Sequence, residues 1–181
     1  MIRFFDFFFS ILGLIVLFPI FVLLWIIGFL ENGSPIFKQK RVGYLQKLFL
    51  LIKFRTMKKN TKSIATHLIN NSMITKFGYF LRRTKLDEAP QLINVLKGDM
   101  SFVGPRPCLA NQKKLISERK KRGIFEVRPG ITGLAQIRGI TMEKPILLSK
   151  IELEMIKKMN LYYYFYYIFA TLYLIFVKNY K

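Results

Sequence analysis

The sequence contains few cysteine, histidine and acidic residues. A single cysteine, Cys108, excludes an intramolecular disulfide framework and any metal site built from several cysteines. The 10 Asp and Glu residues are outnumbered by 30 Lys and Arg, which gives a formal net charge of +20 over 181 residues. Basic disordered tails are poor in aromatic residues, whereas 15% of this chain is aromatic, so a disordered tail is excluded. The excess positive charge indicates an anionic partner, either a membrane surface or a nucleic acid.

Charge is also missing from two long stretches, residues 7–30 and residues 161–177. The first has 24 residues, enough to cross a hydrocarbon core that needs about 20. It is longer than the core of a typical signal peptide, and no clear cleavage site follows it. Pro19 removes one helical hydrogen bond near its middle, which allows either a kinked spanning helix or a helix that breaks there and returns to the same side. We therefore expect a basic, membrane-associated protein with one polar domain.

Basic residues beside the first run indicate its orientation. Only Arg3 precedes it, whereas four basic residues follow closely: Lys38, Lys40, Arg41 and Lys47. The positive-inside rule therefore predicts a cytoplasmic location for the main domain. The second uncharged run is rich in tyrosine and at the lower length limit for a span, so we expect a helix at the membrane surface rather than a second span.

Residues 32–86 contain 13 Lys and Arg and no acidic residue after Glu31. No zinc finger or RNA-binding signature accompanies them, so anionic lipid is favoured over nucleic acid as the partner. Within this stretch two strands are predicted, and their alternation places Lys53 and Arg55 on one face. These cations form either a polar strand edge or a pair directed at phosphate oxygens. A loop is predicted at residues 57–73, with His67 as a surface residue.

Two acidic residues, Asp87 and Glu88, follow this basic stretch directly. A helix is predicted near Ile74–Lys85, and another starts at about residue 84, with a proline in its first turn and an end at Gly98. The two carboxylates then lie at a helix N-terminus, where capping alone favours them. An adjacent carboxylate pair in a basic setting also holds a divalent cation and supplies an anionic nucleophile. The residues alone leave both interpretations open.

Two Arg-Pro segments follow the carboxylates. Arg106 lies between two prolines, which gives its side chain a stiff base suited to phosphate recognition. Arg128 precedes Pro129-Gly130, which is a predicted turn. Its glycines either allow backbone N–H groups to approach an anion or serve only to form the turn. Between the two segments we predict a helix over residues 109–122 with a solvated or lipid-facing basic end.

Three motifs, in order, resemble one enzyme family. They are KFRTM at residues 53–57, LDEAPQLINVLKGDMSFVGPRP at residues 86–107, and RPGITG at residues 128–133. Together they resemble the monotopic phosphoglycosyl transferases, bacterial sugar transferases that initiate polyprenol-linked glycan assembly. The resemblance covers the chain from Phe4 to about Asn160 and fits the small, single-domain members of the family.

The resemblance implies an α+β fold that is mainly helical. Residues 1–31 would form a membrane-embedded re-entrant helix broken at Pro19, and residues 32–160 a cytosolic catalytic domain. Residues 161–181 would form an interfacial helix. The implied location is the bacterial cytoplasmic (inner) membrane, with anionic lipids as partners and no nucleic acid.

The resemblance also implies a reaction, the transfer of a sugar 1-phosphate from a UDP-sugar to undecaprenyl phosphate with release of UMP. Asp87 would be the nucleophile and a ligand of Mg²⁺, and Glu88 would assist it. The implied substrate-binding residues are Lys53, Arg55, Arg106, Arg128, Gly130 and Thr132. Two alternatives are a catalytically inactive scaffold of a glycan-assembly complex and a basic nucleic-acid binder.

Overall fold

The computed structural model describes residues 1–59 and 73–179, so most of the predicted loop, including His67, lies outside the described residues. The fold combines helices and strands and is mainly helical, as expected. The helices are α1 (Ile2–Asn32), α2 (Lys76–Thr84), α3 (Gln91–Lys97), α4 (Lys113–Lys121), α5 (Leu134–Ile137), α6 (Pro145–Lys158) and α7 (Leu161–Asn179). The strands are β1 (Ile36–Val42), β2 (Leu48–Phe54), β3 (Ser101–Val103) and β4 (Gly130–Thr132).

Helix α1 is long and apolar enough to cross a membrane. It continues through Pro19, so the helix is not interrupted at the position where the sequence predicted a break. A proline removes one backbone N–H, and the neighbouring turns continue on either side of it. Most of the apolar side chains of α1 are exposed, as expected for a helix whose surroundings are lipid.

Both ends of α1 are attached to the same polar domain. Near its start, the buried Asp6 carboxylate accepts hydrogen bonds from the hydroxyls of Ser101 and Tyr164, each at 2.9 Å. At its end, the Asn32 amide donates to the Met57 carbonyl at 2.9 Å. Both ends of α1 therefore contact the same domain, and neither end projects away from it.

Strands β1 and β2 form the predicted antiparallel hairpin, with Ile36 opposite Phe54 and Val42 opposite Leu48. One face of β2 packs on α3, where Leu51 joins the buried Val95. This packing occurs because alternate β2 side chains point to the same face and the apolar side of α3 covers them. The short β3 and β4 pair in parallel, and their Phe102 and Ile131 pack in the same apolar cluster as Val95 of α3.

Helix α7 is amphipathic in its packing. Tyr164 and Tyr167 are buried in the main core, with Val103, Leu148 and Met155 among their neighbours. Other tyrosines on the same helix, Tyr162 and Tyr173, are exposed. One face of α7 therefore belongs to the core, and the prediction of a membrane-surface helix concerns only the exposed face.

Candidate active site

Asp87 and Glu88 lie in a separate 3-10 turn, Leu86–Glu88, and not in the first turn of α3 as the sequence predicted. Pro90 explains the difference, because it has no N–H to donate to the Leu86 carbonyl four residues earlier. That carbonyl accepts from the Ala89 N–H instead, at 3.2 Å. The tighter turn places both carboxylates between α2 and α3.

The two adjacent carboxylates have different surroundings. Glu88 pairs with Arg106, whose Nη2 lies 2.5 Å from Glu88 Oε1. Burial alone would raise the pKa of Glu88, but the Arg106 guanidinium outweighs it and holds that pKa below its ordinary value. Asp87 is 6% exposed, and no side chain within residues 1–59 and 73–179 donates a hydrogen bond to it. Burial and the Glu88 charge raise the pKa of Asp87 to about 6.

Cations from two elements surround this turn. Lys53 on β2 interacts electrostatically with both carboxylates, and its burial lowers its own pKa. Arg82 on α2 also acts on Asp87 and donates to the Thr56 hydroxyl at 2.8 Å. The structure thus brings Lys53 and Arg106, two of the predicted substrate-binding residues, to the carboxylates, together with Arg82, which was not among the predicted residues. Its only sequence signal is the basic cluster at the end of α2.

Arg55 and Arg128 have other contacts. Arg55 shares a face with Lys53, since both cations lie 5.4 Å from the Phe37 ring centroid, but its Nε donates to the Ser34 carbonyl at 2.9 Å. Arg128 donates to the carbonyl of Gly98, at the opposite end of α3 from the carboxylates, at 2.9 Å. The structure does not bring these two guanidinium groups to Asp87.

Gly130 and Thr132 are occupied by contacts within the protein. A Cβ at Gly130 would lie 2.0 Å from the backbone nitrogen of Gly104, so the close approach of two chain segments requires a glycine there. The Gly130 N–H donates to the Pro105 carbonyl at 2.9 Å, so this one N–H of the turn is not free for an anion. The Thr132 hydroxyl pairs with the Thr171 hydroxyl of α7.

A cavity of about 640 Å³ adjoins the Glu88–Arg106 pair. Its polar wall includes Glu88, Arg106 and Lys85, and Thr132 also lines it. The remaining wall is mostly apolar and comes from α1 and α7, including Phe9, Leu17, Phe165, Phe169 and Leu172. The cavity therefore joins a charged end to a surface suited to hydrocarbon.

The carboxylates suit Mg²⁺ only in partnership with a substrate. Among the described residues there is no group of three or more His, Cys, Asp or Glu side chains that could enclose a metal. Mg²⁺ is commonly held by one or two carboxylates together with substrate phosphates. Asp87 fits that role, because its oxygens accept no hydrogen bond from the described residues and a cation would favour its ionised form.

The basic end of α4 is not entirely solvated, contrary to the sequence prediction. Arg119 is 1% exposed and forms a salt bridge with Glu152 of α6, which is also 1% exposed. The helix is also shorter than predicted, since it begins at Lys113 and not near Leu109. Neither Arg119 nor Glu152 had a sequence signal that separated it from the surrounding surface charges.

Comparison with known proteins gives consistent matches. The model of the bacterial sugar transferase family matches residues 1–178. The uncharacterized sugar transferase EpsL of Bacillus subtilis is 50% identical over 111 residues, which are 61% of this chain and 54% of EpsL.

Two longer relatives have more specific names. The undecaprenyl-phosphate galactose phosphotransferase of Salmonella typhimurium is 37% identical over 76% of this chain and 32% of its own length. The UDP-glucose:undecaprenyl-phosphate glucose-1-phosphate transferase of Escherichia coli is 40% identical over 81% of this chain and 34% of its own length. The chain thus spans about half of EpsL and about a third of the other two.

Proposed function

This chain belongs to the bacterial sugar transferase family, and we propose that it transfers a sugar 1-phosphate from a UDP-sugar to undecaprenyl phosphate with release of UMP. The names of the Salmonella and Escherichia relatives support this reaction class. The observation that carries the proposal is the Asp87 carboxylate, which accepts no hydrogen bond from the described residues and lies in a basic cluster beside the Glu88–Arg106 pair.

We infer that Asp87 is the nucleophile. Its carboxylate oxygen attacks the β-phosphorus of the UDP-sugar, a new oxygen–phosphorus bond forms, and the bond to UMP breaks. A phosphate oxygen of undecaprenyl phosphate then attacks the same phosphorus and frees Asp87. Glu88 is a weaker candidate for the first attack, because its carboxylate is held by Arg106. Lys53, Arg82 and Arg106 would stabilise negative charge on the transferred group.

We also propose Mg²⁺ as the cofactor, with Asp87 as its protein ligand. When bound, Mg²⁺ would neutralise charge on the diphosphate of the donor. Because the described residues provide no complete metal cage, binding should depend on the donor diphosphate as well as on the protein.

The acceptor is expected to enter through the cavity between α1 and α7. Undecaprenyl phosphate combines an anionic head with a long hydrocarbon chain, and this cavity combines Arg106 and Lys85 with apolar side chains of the two helices. An apolar wall that opens toward exposed apolar surfaces of α1 and α7 would let the chain remain in lipid while its phosphate reaches the carboxylates.

We further propose that α1 is re-entrant and that the domain is cytosolic, at the inner membrane. Asp6 and Asn32, near opposite ends of α1, are both hydrogen-bonded to the same polar domain. A straight spanning helix would place one of these ends across a hydrocarbon core of about 30 Å from that domain. The basic residues of the domain would contact anionic lipid headgroups.

The proposal is tested by UMP release from purified membrane fractions supplied with undecaprenyl phosphate, Mg²⁺ and a panel of UDP-sugars. We expect release with at least one donor and loss on addition of EDTA. Asp87→Asn should lower turnover by at least about 1,000-fold, because the substituted amide is a poor nucleophile. The matched control Asp99→Asn makes the same chemical change in a residue whose carboxylate bonds only to Asn94 among the described residues, and it should retain activity.

Two results would contradict the proposal. Full turnover in Asp87→Asn would exclude this residue as the nucleophile. Absence of both UMP release and a trapped phosphosugar adduct with every donor would favour the inactive scaffold.

A further inference from the structure

The segment Pro105–Cys108, which we call the arginine strap, carries Arg106 to the carboxylates. Its four consecutive carbonyl oxygens each accept a hydrogen bond from a different residue. The donors are the Gly130 N–H to Pro105 (2.9 Å), Arg119 Nη2 to Arg106 (2.9 Å), Arg41 Nη1 to Pro107 (3.1 Å) and the Val42 N–H to Cys108 (2.9 Å). The strap is therefore held along its whole length by β4, α4 and β1.

One of these donors, Arg119, is itself fixed by a buried carboxylate. Its Nε lies 2.8 Å from Glu152 Oε2, and its Nη2 lies 2.5 Å from Glu152 Oε1. The same Nη2 has a second hydrogen, which it donates to the Arg106 carbonyl. Arg119 thus connects a buried carboxylate on α6 to the residue that pairs with Glu88.

Stability alone is a weak reason for such a pair. Desolvation of two charges offsets much of their attraction, and apolar residues of similar volume often fill the same space without loss of stability. A planar guanidinium, however, binds a carboxylate with two nitrogens and still donates to a carbonyl, which neither an apolar side chain nor a lysine does. The requirement for an arginine therefore comes from its additional hydrogen bond to the strap.

We propose that Arg119, oriented by Glu152, is a positioning residue for the transfer reaction. It fixes the backbone at Arg106 and so determines where the Arg106 guanidinium meets Glu88, next to Asp87. This inference rests on the transferase activity proposed above, and it makes a separate prediction about the rigidity of the strap.

The main test replaces both charges at once, as Arg119→Met with Glu152→Leu, so that no unpaired charge stays buried. We expect a folded protein whose kcat is lower by about 10- to 100-fold, since misplacement by about 1 Å at a reacting centre can cost about 100-fold. The KM for the UDP-sugar should change by less than about threefold, because the donor's other cationic contacts are untouched.

Arg119→Lys is the second variant, and it tests the positioning role of Arg119 even if the double variant does not fold. Lysine keeps a positive charge near Glu152 but has no planar fork that reaches both Glu152 and the strap. We expect the same loss of kcat as in the double variant. If neutralising Glu152 were the only role of Arg119, Arg119→Lys would instead behave like the wild type.

Cys108 supplies a readout that does not depend on activity. It lies at the end of the strap, is the only cysteine in the chain, and is fully buried. Loosening of the strap should increase its rate of alkylation by about tenfold or more, because local opening governs access to a buried group. Arg119 lowers the pKa of the thiol more than Glu152 raises it, so loss of both charges would raise that pKa and slow alkylation, and a faster reaction therefore reports exposure.

The matched control removes the exposed pair of Arg138, the residue after α5, and Glu154 of α6, as Arg138→Met with Glu154→Leu, and should leave kcat and Cys108 alkylation unchanged. Wild-type kcat in a folded Arg119→Met, Glu152→Leu protein would overturn the inference, and so would unchanged protection of Cys108. An inactive wild type would overturn the proposed function instead, and alkylation of Cys108 would still test the strap.

Discussion

Two arginine–carboxylate pairs lie next to each other in this protein, and their exposure differs greatly. In the pair of Arg106 with Glu88 the arginine side chain is 43% exposed and lines a cavity, whereas both members of the Arg119–Glu152 pair are 2% exposed or less. The hydrogen bond from Arg119 to the Arg106 carbonyl connects them. The open pair therefore has a guanidinium that faces a cavity, while the hydrogen bonds of the closed pair are all made inside the protein.

The largest expected effect comes from breaking the closed pair on one side. Glu152→Ala leaves the Arg119 charge buried without a partner and should lower the free energy of unfolding by about 3–5 kcal/mol. Denaturant unfolding measures this loss. Glu154→Ala, two residues along α6 and more exposed, is the control and should change stability by less than about 1 kcal/mol. Equal effects of the two substitutions would remove the distinction between buried and open pairs.

Substitution in the open pair should lower catalysis more than it lowers stability. Arg106→Ala is expected to lower kcat/KM for the UDP-sugar by about 100-fold, because a cation that faces developing charge on the phosphoryl group is lost. Its effect on the free energy of unfolding should be smaller than that of Glu152→Ala, because the Arg106 side chain is nearly half exposed. Steady-state kinetics and unfolding of the same preparation measure both quantities. An unchanged kcat/KM would contradict the assignment of Arg106.

The smallest effect is a pH dependence that distinguishes Asp87 from its neighbour. An Asp87 nucleophile must be ionised to attack, and the pKa of Asp87 is raised to about 6, so kcat/KM should rise with pH through about 6 and level off above about pH 7. At pH 5 we expect about one tenth of the plateau value. A profile that is flat between pH 5 and 7 would contradict an Asp87 nucleophile with this pKa.

The same raised pKa predicts the sign of a stability change. Folding favours the protonated form of Asp87, so its contribution to stability is present below pH 4 and is lost as the pH rises through about 6. Asp87→Asn should therefore gain stability relative to the wild type over that interval. Parallel unfolding curves at pH 4 and pH 7 measure the difference.

Local pattern was sufficient for several elements of the fold. Alternation of apolar residues predicted the β1–β2 hairpin, and the run without charge predicted α1. These predictions succeed because side-chain alternation and the length of an uncharged run are both visible in consecutive residues. The motif around Asp87 and Glu88 likewise contains Arg106, which pairs with Glu88 and interacts electrostatically with Asp87.

Other side chains took directions that no local pattern specifies. Arg55 and Arg128 belong to the motifs that resemble the family, yet their guanidinium groups donate to Ser34 and Gly98. Arg119 belongs to a run of surface cations, yet it turns inward to Glu152. Each outcome depends on which acceptor lies within reach of a long, flexible side chain, and contacts between distant segments decide that.

The sequence by itself determined a basic protein with an uncharged run over residues 7–30, a carboxylate pair after a cationic stretch, and arginines stiffened by proline. The tertiary structure decided that Glu88 is neutralised by Arg106 while Asp87 stays without a hydrogen bond from the described residues. It also decided that Arg119 supports the strap. The physical reason is that burial and pairing depend on residues far apart in the chain, from Lys53 to Glu152, which only folding brings to one place.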